Sequence, residues 1–407
     1  MWQKAKNVYH LGQAVTAHVA NGFPARGVSF IGVTGTDGKT TTSSMIYHIL
    51  RKSGKKTALV STVAAIIDGE SYDTGSHVTN PDLSALLKYI KLAVKARSEY
   101  IVLEVTSHGL DQYRVFGIQF KIGVITNITH EHLDYHKTYD NYVSAKFRLL
   151  QHSQIAIINR DDQSYEILEQ KIRTEQLNKW LRVMTYGMKN NADINPEKFP
   201  FETHLLGDFN KYNSLAAISV CQQLGIDSDK IRDALTDFSA PVGREEIVYN
   251  KDFAVMIDFA HTPNAIEQIL SAVKNDINDK GRIIHVFGAA GLRDNSKRPL
   301  MGQSSCKYAD IIILTSEDPR TEKVEEINNQ IKKGFAKDKI NGNNLFEITN
   351  RQQAIDKAIA IARGGDMVVV TGKGHENSMN FGHGEVYWDD HQAVKYALEK
   401  RKNAAKN

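Results

Sequence analysis

Short apolar runs rich in β-branched residues recur along the chain, separated by stretches with helical spacing. In the first half, Val28–Val33, Thr57–Val60, Tyr100–Val105, Ile122–Thr126 and Ile155–Asn159 read as strands buried on both faces. Tyr139–Leu150 and Tyr212–Leu224 repeat their apolar positions at helical spacing. A break falls at Ser239-Ala240-Pro241-Val242-Gly243, after which the alternation resumes with strands expected at Phe253–Ile257, Arg282–Phe287, Ile311–Thr315 and Met367–Thr371. Lys395–Asn407 reads as a terminal helix that frays. Strands alternating with helices predict parallel α/β sheets, and the break predicts two domains, 1–241 and 242–407.

Composition narrows the class. The 407 residues are 41% hydrophobic and 24% charged, as in ordinary globular proteins. A net charge of +4 is small for this length and argues against nucleic acid as a partner. The two cysteines, Cys221 and Cys306, lack metal-like spacing and fit a reduced compartment. The first residues lead into no apolar run of signal or membrane-spanning length, so a cytoplasmic protein without a membrane span is expected.

The candidate chemistry begins at Ile31-Gly32-Val33-Thr34-Gly35-Thr36-Asp37-Gly38-Lys39-Thr40-Thr41-Thr42. A strand, a glycine-rich turn and a helix opening at Lys39 would hold phosphates. Glycines 32, 35 and 38 would let backbone N–H groups approach, through Gly35, Thr36, Asp37, Gly38, Lys39, Thr40 and Thr41. Lys39 would reach the β- and γ-phosphates of ATP, and the Thr40 hydroxyl would ligate Mg²⁺. Val33 stands where the strict pattern has glycine, giving G-x-x-G-x-x-G-K-T. A purely structural glycine turn is the alternative, which the strand, turn and helix context disfavours. Glu104 ends the strand Tyr100–Glu104, where ligands bind in open α/β sheets; alone it would be a solvated carboxylate. The segment His130-Glu131-His132-Leu133-Asp134-Tyr135-His136 holds three histidines and two acids. It is one residue off a di-zinc hydrolase pattern; the other reading is a second Mg²⁺ ligand from one histidine.

Together these segments resemble the Mur ligases, most closely the type that adds the third residue to the peptide of UDP-N-acetylmuramic acid (MurE-type, UDP-N-acetylmuramoyl-tripeptide synthetase). Further matching motifs follow in order: Leu206–Asn213, Gly243-Arg244-Glu245-Glu246, Asp258–Asn264, Arg293–Gly302, Ser316–Arg320 and Gly372-Lys373-Gly374-His375-Glu376. The resemblance covers the chain from about Gly27 onward. It implies a central P-loop NTPase-like parallel-sheet domain followed by a Rossmann-like C-terminal α/β domain. It also implies Mg²⁺ ligands at Thr40, Glu104 and His132, and carbamylation of Lys146, which without the family reads as a surface lysine. Lys39, Lys146, Glu104 and His132 would carry the catalysis. Asn210 and Asn213 would lie on the adenine side, Asp258 at the ribose, Arg244 on the phosphate side and His261 beside the nucleotide. Thr79, Asn80, Ser107 and Arg114 would grip the muramyl-peptide acceptor. Arg293, Asp318, Arg320, Gly372 and Glu376 would receive the amino acid, with Arg320 forking onto a carboxylate.

The departures bear on substrate. Thr79-Asn80-Pro81 stands where the family has Thr-Thr-Pro, and Glu317-Asp318-Pro319-Arg320 where diaminopimelate-adding members have Asp-Asn-Pro-Arg. Arg320 leans towards diaminopimelate, while Asp318 would suit another amine. Residues 1–26 are too few for the family's N-terminal uridine-nucleotide domain, so the chain is expected to lack it. The implied reaction is ATP-dependent amide synthesis through an acyl phosphate, with two Mg²⁺ ions and closure about a hinge near Pro241. The alternatives are a ligase on a non-UDP acceptor, of amino-acid polymer or folate type, and a catalytically weak partner subunit that keeps the fold.

Overall fold

The computed structural model describes residues 2–22, 24–25, 27–74, 81, 83–129, 133–189, 191–277, 281–335 and 342–404. Thr79, Asn80 and His132 therefore lie outside the described residues. The chain divides into two units, Met1–His204 with Phe209–Ser239, and Leu205–Asp208 with Ala240–Asn407.

Among the described residues, the first unit carries an eight-stranded sheet. Its strands are β1 (Ser29–Thr34), β2 (Thr57–Val60), β3 (Ala65–Ile67), β4 (Glu70–Tyr72), β5 (Tyr100–Glu104), β6 (Phe120–Ile125), β7 (Ser153–Asn159) and β8 (Arg182–Tyr186). They lie in the order β4-β3-β2-β5-β1-β6-β7-β8, with every neighbouring pair parallel except β2–β3 and β3–β4, which are antiparallel. The central strands are apolar on both faces because helices cover both. The helix Leu83–Lys95 sets Leu86, Leu87, Ile90 and Ala93 against Phe30, Ala58, Ile101 and Leu103. The helix Tyr139–Gln151 sets Tyr142, Val143, Phe147 and Leu150 against Ile125, Ala156 and Ile158. Each fully buried side chain of this size contributes about 1.5–3 kcal/mol.

Gly32 corrects one expectation. It lies inside β1, paired with Leu103 and Gly123, and a Cβ there would sit 2.6 Å from Leu149 and 2.8 Å from Phe120. Its smallness lets the sheet and the covering helix approach; it takes no part in a phosphate turn. The strand order has a further consequence. With β1 between β5 and β6, the segments leaving Thr34, Glu104 and Ile125 emerge side by side at one carboxyl edge, where open α/β sheets bind ligands.

Among the described residues, the second unit has a six-stranded sheet in the order β13-β12-β11-β14-β10-β9. These are β9 (Glu246–Asn250), β10 (Ala254–Asp258), β11 (Ile283–Phe287), β12 (Ile311–Leu314), β13 (Leu345–Glu347) and β14 (Met367–Thr371). All are parallel except the edge strand β9. A hairpin of β15 (Ser378–Asn380) and β16 (Glu385–Tyr387) follows, and the helix Asp390–Ala404 closes the chain. Among the described residues, no helix is long and apolar enough to cross a membrane.

Candidate active site

The turn after β1 is braced from β6. Thr36 N–H donates to Asn127 O at 2.8 Å and Asp37 N–H to Asn127 Oδ1 at 2.9 Å. Thr126 Oγ1 and Asn127 Nδ2 donate back to Asp37 O, at 2.7 and 3.1 Å. The Thr36 hydroxyl meets Tyr142 OH at 3.1 Å and accepts from Thr129 N–H at 3.0 Å. Thr36 and Asp37 thus shape the turn, and the helix Lys39–Lys52 presents its open N-terminus beyond them. Gly38 caps that helix at φ 78°, a left-handed conformation, and a Cβ on it would meet Asn213 Oδ1 at 2.2 Å. Gly35 is equally confined, since a Cβ there would lie 1.8 Å from Thr126 Oγ1. Lys39 Nζ arches over the turn to Thr36 O at 2.8 Å.

Thr40 and Glu104 meet at this edge, with Thr40 Oγ1 donating to Glu104 Oε2 at 3.0 Å. Thr62, in the loop after β2, grips the same carboxylate twice: its N–H to Oε2 at 3.0 Å and its hydroxyl to Oε1 at 2.9 Å. Lys146, 1% exposed on the helix Tyr139–Gln151, donates to Gly35 O at 2.6 Å and lies 4.6 Å from the Tyr142 ring centre. It is no surface lysine. Ser107 opens the short helix after β5, capped by Thr106, and its hydroxyl meets His136 Nε2 at 3.0 Å. Arg114 holds Gln112 Oε1 through Nε and Nη2, at 3.1 and 2.8 Å. Asn213 accepts from Thr42 Oγ1 at 3.2 Å and donates to Asn210 Oδ1 at 3.0 Å, beneath the turn after β1; Thr41 is buried beside Thr42 in the helix Lys39–Lys52.

In the second unit Asp258 ends β10 and accepts from Glu245 N–H at 2.7 Å and Ala260 N–H at 2.6 Å. The Arg244 guanidinium lies 4.3 Å from the Phe259 ring centre. Burial, reinforced by the Lys297 charge, pushes His261 down to about 3, so its ring is neutral at pH 7. Lys373 is buried with its Nζ between Asp318 Oδ1 at 2.9 Å and Glu376 Oε2 at 2.6 Å. Asp318 Oδ1 also accepts from Asn380 N–H at 3.1 Å, which ties β15 to this cluster. Gly372, at φ 108°, lies against Glu317. Arg320, itself at φ 52°, donates through Nη1 to Gly291 O at 2.5 Å, and Arg293 stands exposed on the neighbouring loop.

Two family models match the chain: the Mur ligase middle domain over residues 33–221 and the Mur ligase, glutamate ligase domain over residues 243–374. A 2,6-diaminopimelate ligase acting on UDP-N-acetylmuramoyl-L-alanyl-D-glutamate, from Aquifex aeolicus, is 39% identical across 94% of this chain and 80% of its own length. This chain belongs to the Mur ligase family. A solved 2,6-diaminopimelate ligase of the same description superposes on this Mur ligase with a TM-score of 0.62 at 31% identity, covering 92% of this chain and 79% of its own. The fold extends to Mycobacterium tuberculosis folylpolyglutamate synthase complexed with ADP, at a TM-score of 0.70, 18% identity, and coverage of 91% and 96%. As a Mur ligase the chain is an ATP-using, peptide-bond-forming enzyme acting on small molecules.

Three residues of this Mur ligase escaped the sequence reading as candidates: Thr62, Asn127 and Glu317. Thr62 follows a strand as many threonines do, and only the pairing of β2 with β5 brings it to Glu104. Asn127 had a signal, since it directly follows a strand end, but its role in bracing Asp37 depends on the β1–β6 register.

Proposed function

We propose that this Mur ligase joins the carboxylate of a muramyl-peptide acceptor to an amine of a diamino acid, with ATP activating the carboxylate. The observation that carries the proposal is the meeting of Thr40, Glu104 and Lys39 at the open helix N-terminus behind β1. An acceptor carboxylate oxygen attacks the γ-phosphorus and ADP leaves; the amine then attacks the acyl carbon and phosphate leaves. Lys39 would exchange Thr36 O for phosphate oxygens and hold them through the transfer. The helix N-terminus would add N–H donors and a favourable dipole.

The donor set of the Thr40 hydroxyl and the Glu104 carboxylate is hard oxygen, which fits Mg²⁺. These residues, with His132 and a carbamylated Lys146, would hold it, and Mg²⁺ when bound neutralises charge on the transferring phosphoryl group. Lys146 is buried beside the turn, and a carbamate on it would supply a carboxylate-like donor. Mass spectrometry of the active enzyme is expected to find that carbamate; an unmodified lysine would remove Lys146 from the metal site. Thr62 orients Glu104 through two hydrogen bonds. Thr62→Val is therefore expected to weaken binding of Mn²⁺, used as a spin-active substitute, about 10–100-fold in an electron-paramagnetic titration. Unchanged Mn²⁺ affinity would mean Glu104 needs no such support.

On the amino-acid side, Asp318, Glu376 and Gly372 cluster around Lys373, with Arg320 on the adjoining turn. Carboxylates with an arginine nearby suit a zwitterion carrying a further amine. A phosphate-release screen with ATP, Mg²⁺ and UDP-N-acetylmuramoyl-L-alanyl-D-glutamate is expected to respond to 2,6-diaminopimelate above lysine and ornithine. Release that no diamino acid stimulates would overturn the substrate assignment.

A further inference from the structure

Arg320 sits at φ 52°, in the left-handed region that residues other than glycine rarely occupy. Such a conformation persists where its surroundings fix it, and residues held this way cluster at functional sites. Here a hairpin outside the six-stranded sheet does the fixing. Arg320 N–H donates to Asn380 O at 2.9 Å, and Asn380 N–H donates to Asp318 Oδ1 at 3.1 Å. Asn380, the last residue of β15, thus holds the loop from Asp318 to Arg320 with both of its backbone groups. Its side chain shapes the hairpin itself. Oδ1 accepts from Gly382 N–H at 2.8 Å, and Nδ2 donates to Glu385 Oε1 at 2.9 Å, across the strand pair that closes the turn. Gly382 packs on the same loop, where a Cβ would lie 2.9 Å from both Arg320 O and Thr321 Cγ2. A two-stranded hairpin has little stability of its own, so its place depends on contacts such as these. At the far end of the arginine, Nη1 donates to Gly291 O at 2.5 Å, and Gly291 N–H donates to Asp318 O at 2.8 Å. The hairpin therefore sets the root of this side chain, and the neighbouring loop sets its tip.

We propose that Asn380 is a positioning residue for amino-acid selection: through the β15–β16 hairpin it holds Arg320 where the guanidinium meets the carboxylate that 2,6-diaminopimelate carries and lysine lacks. The inference rests on the ligase reading above and adds the element that aims its arginine. Diaminopimelate differs from lysine by one carboxylate, on the carbon bearing the far amine. A planar guanidinium pairs with a carboxylate through two parallel bonds, and that geometry tolerates little rotation. It carries five N–H donors, so the bond to Gly291 O leaves donors for a ligand, and Arg320 is partly exposed. Loosening the hairpin would release the Arg320 N–H. The residue would then relax towards the ordinary regions of backbone space and swing its side chain away. Lysine makes no use of that guanidinium, so its reaction is indifferent to the hairpin.

The test measures kcat/KM for diaminopimelate and for lysine, with ATP, Mg²⁺ and UDP-N-acetylmuramoyl-L-alanyl-D-glutamate. Asn380→Ala removes the side chain that closes the turn, and Gly382→Ala pushes the hairpin off Arg320 O. Each is expected to lower kcat/KM for diaminopimelate about 10–100-fold, chiefly through KM. The lysine value and the KM for ATP are expected to stay within about threefold of wild type, which shows that the variants fold. Asn380→Asp keeps the acceptor for Gly382 N–H but sets two carboxylates together, and is expected to match Asn380→Ala. Adding Glu385→Gln restores that bond with donor and acceptor exchanged, and is expected to recover most of the preference for diaminopimelate. The proposal is overturned if the variants keep the preference, if both amino acids slow equally, or if the double variant recovers none of it. A wild type that uses lysine as well as diaminopimelate overturns the role of Arg320 and that of Asn380 with it. A wild type whose phosphate release responds to no amino acid rejects the ligase reading itself, which separates the two failures.

Discussion

Lys39→Ala will lose ATP-dependent phosphate release by about 10³-fold while its thermal unfolding midpoint stays within ~2 °C of wild type. The two halves of this expectation have separate causes. Lys39 Nζ donates to Thr36 O at 2.8 Å, at the half-buried surface of the turn. Losing a single hydrogen bond at such a site changes stability little. Phosphoryl transfer has no covalent help from the protein, so alignment and charge neutralisation carry the rate, and this lysine supplies both. Lys39→Arg should rescue poorly, because a planar fork cannot replace a compact ammonium arching over so tight a turn. A Lys39→Ala enzyme within tenfold of wild type would mean the turn does not cradle the reacting phosphates.

Arg351→Met should produce the largest loss of stability in the second unit, about 3–5 kcal/mol. Arg351 and Asp390 are both fully buried and joined by two 2.8 Å bonds. The guanidinium also donates to Thr371 O at 2.9 Å and Ser316 O at 3.3 Å, and Trp388 Nε1 reaches Asp390 Oδ1 at 2.8 Å. One ion pair thereby fastens β14, the loop after β12, the end of the hairpin and two helices. Methionine would fill the stem volume but leave the buried Asp390 carboxylate with the Trp388 Nε1 hydrogen bond in place of the ion pair. The unfolding midpoint is expected to fall by roughly 6–20 °C, and Arg351→Met with Asp390→Leu should recover most of it. A loss below about 1 kcal/mol by chemical denaturation would show that water reaches Asp390.

The sheet interior was legible because parallel central strands must be continuously apolar. Thr57–Val60 and Met367–Thr371 were read with the bounds the structure gives, and the other expected strands shift at their ends by a residue or two. The unread strands are edge or hairpin pieces: β3, β4, β13, β15 and β16 have three residues each, while β8 and β9 carry polar, exposed positions. Such strands are fixed by pairing with a neighbour, which no local pattern records. The tight turn after β1 was legible for a different reason, since glycines at 35 and 38 mark close approach, and a Cβ there would meet Thr126 Oγ1 at 1.8 Å and Asn213 Oδ1 at 2.2 Å. Gly32 misled the reading because a glycine needed for sheet–helix packing looks the same in sequence as one needed for a ligand. Lys146 became a candidate only through family resemblance; its burial against Gly35 O is a tertiary fact. Glu317 lies within the motif Ser316–Arg320, yet its unmatched oxygen shows only in the fold, where Lys297, Lys373 and Arg351 are bonded to others.

Transfer of the ATP terminal phosphoryl group to a carboxylate can be followed atom by atom. UDP-N-acetylmuramoyl-L-alanyl-D-glutamate labelled with oxygen-18 in its free carboxylates, incubated with the enzyme, ATP, Mg²⁺ and 2,6-diaminopimelate, is expected to pass one labelled oxygen to each phosphate released. Phosphate released with no label would contradict an acyl-phosphate route and the account of the site built on it.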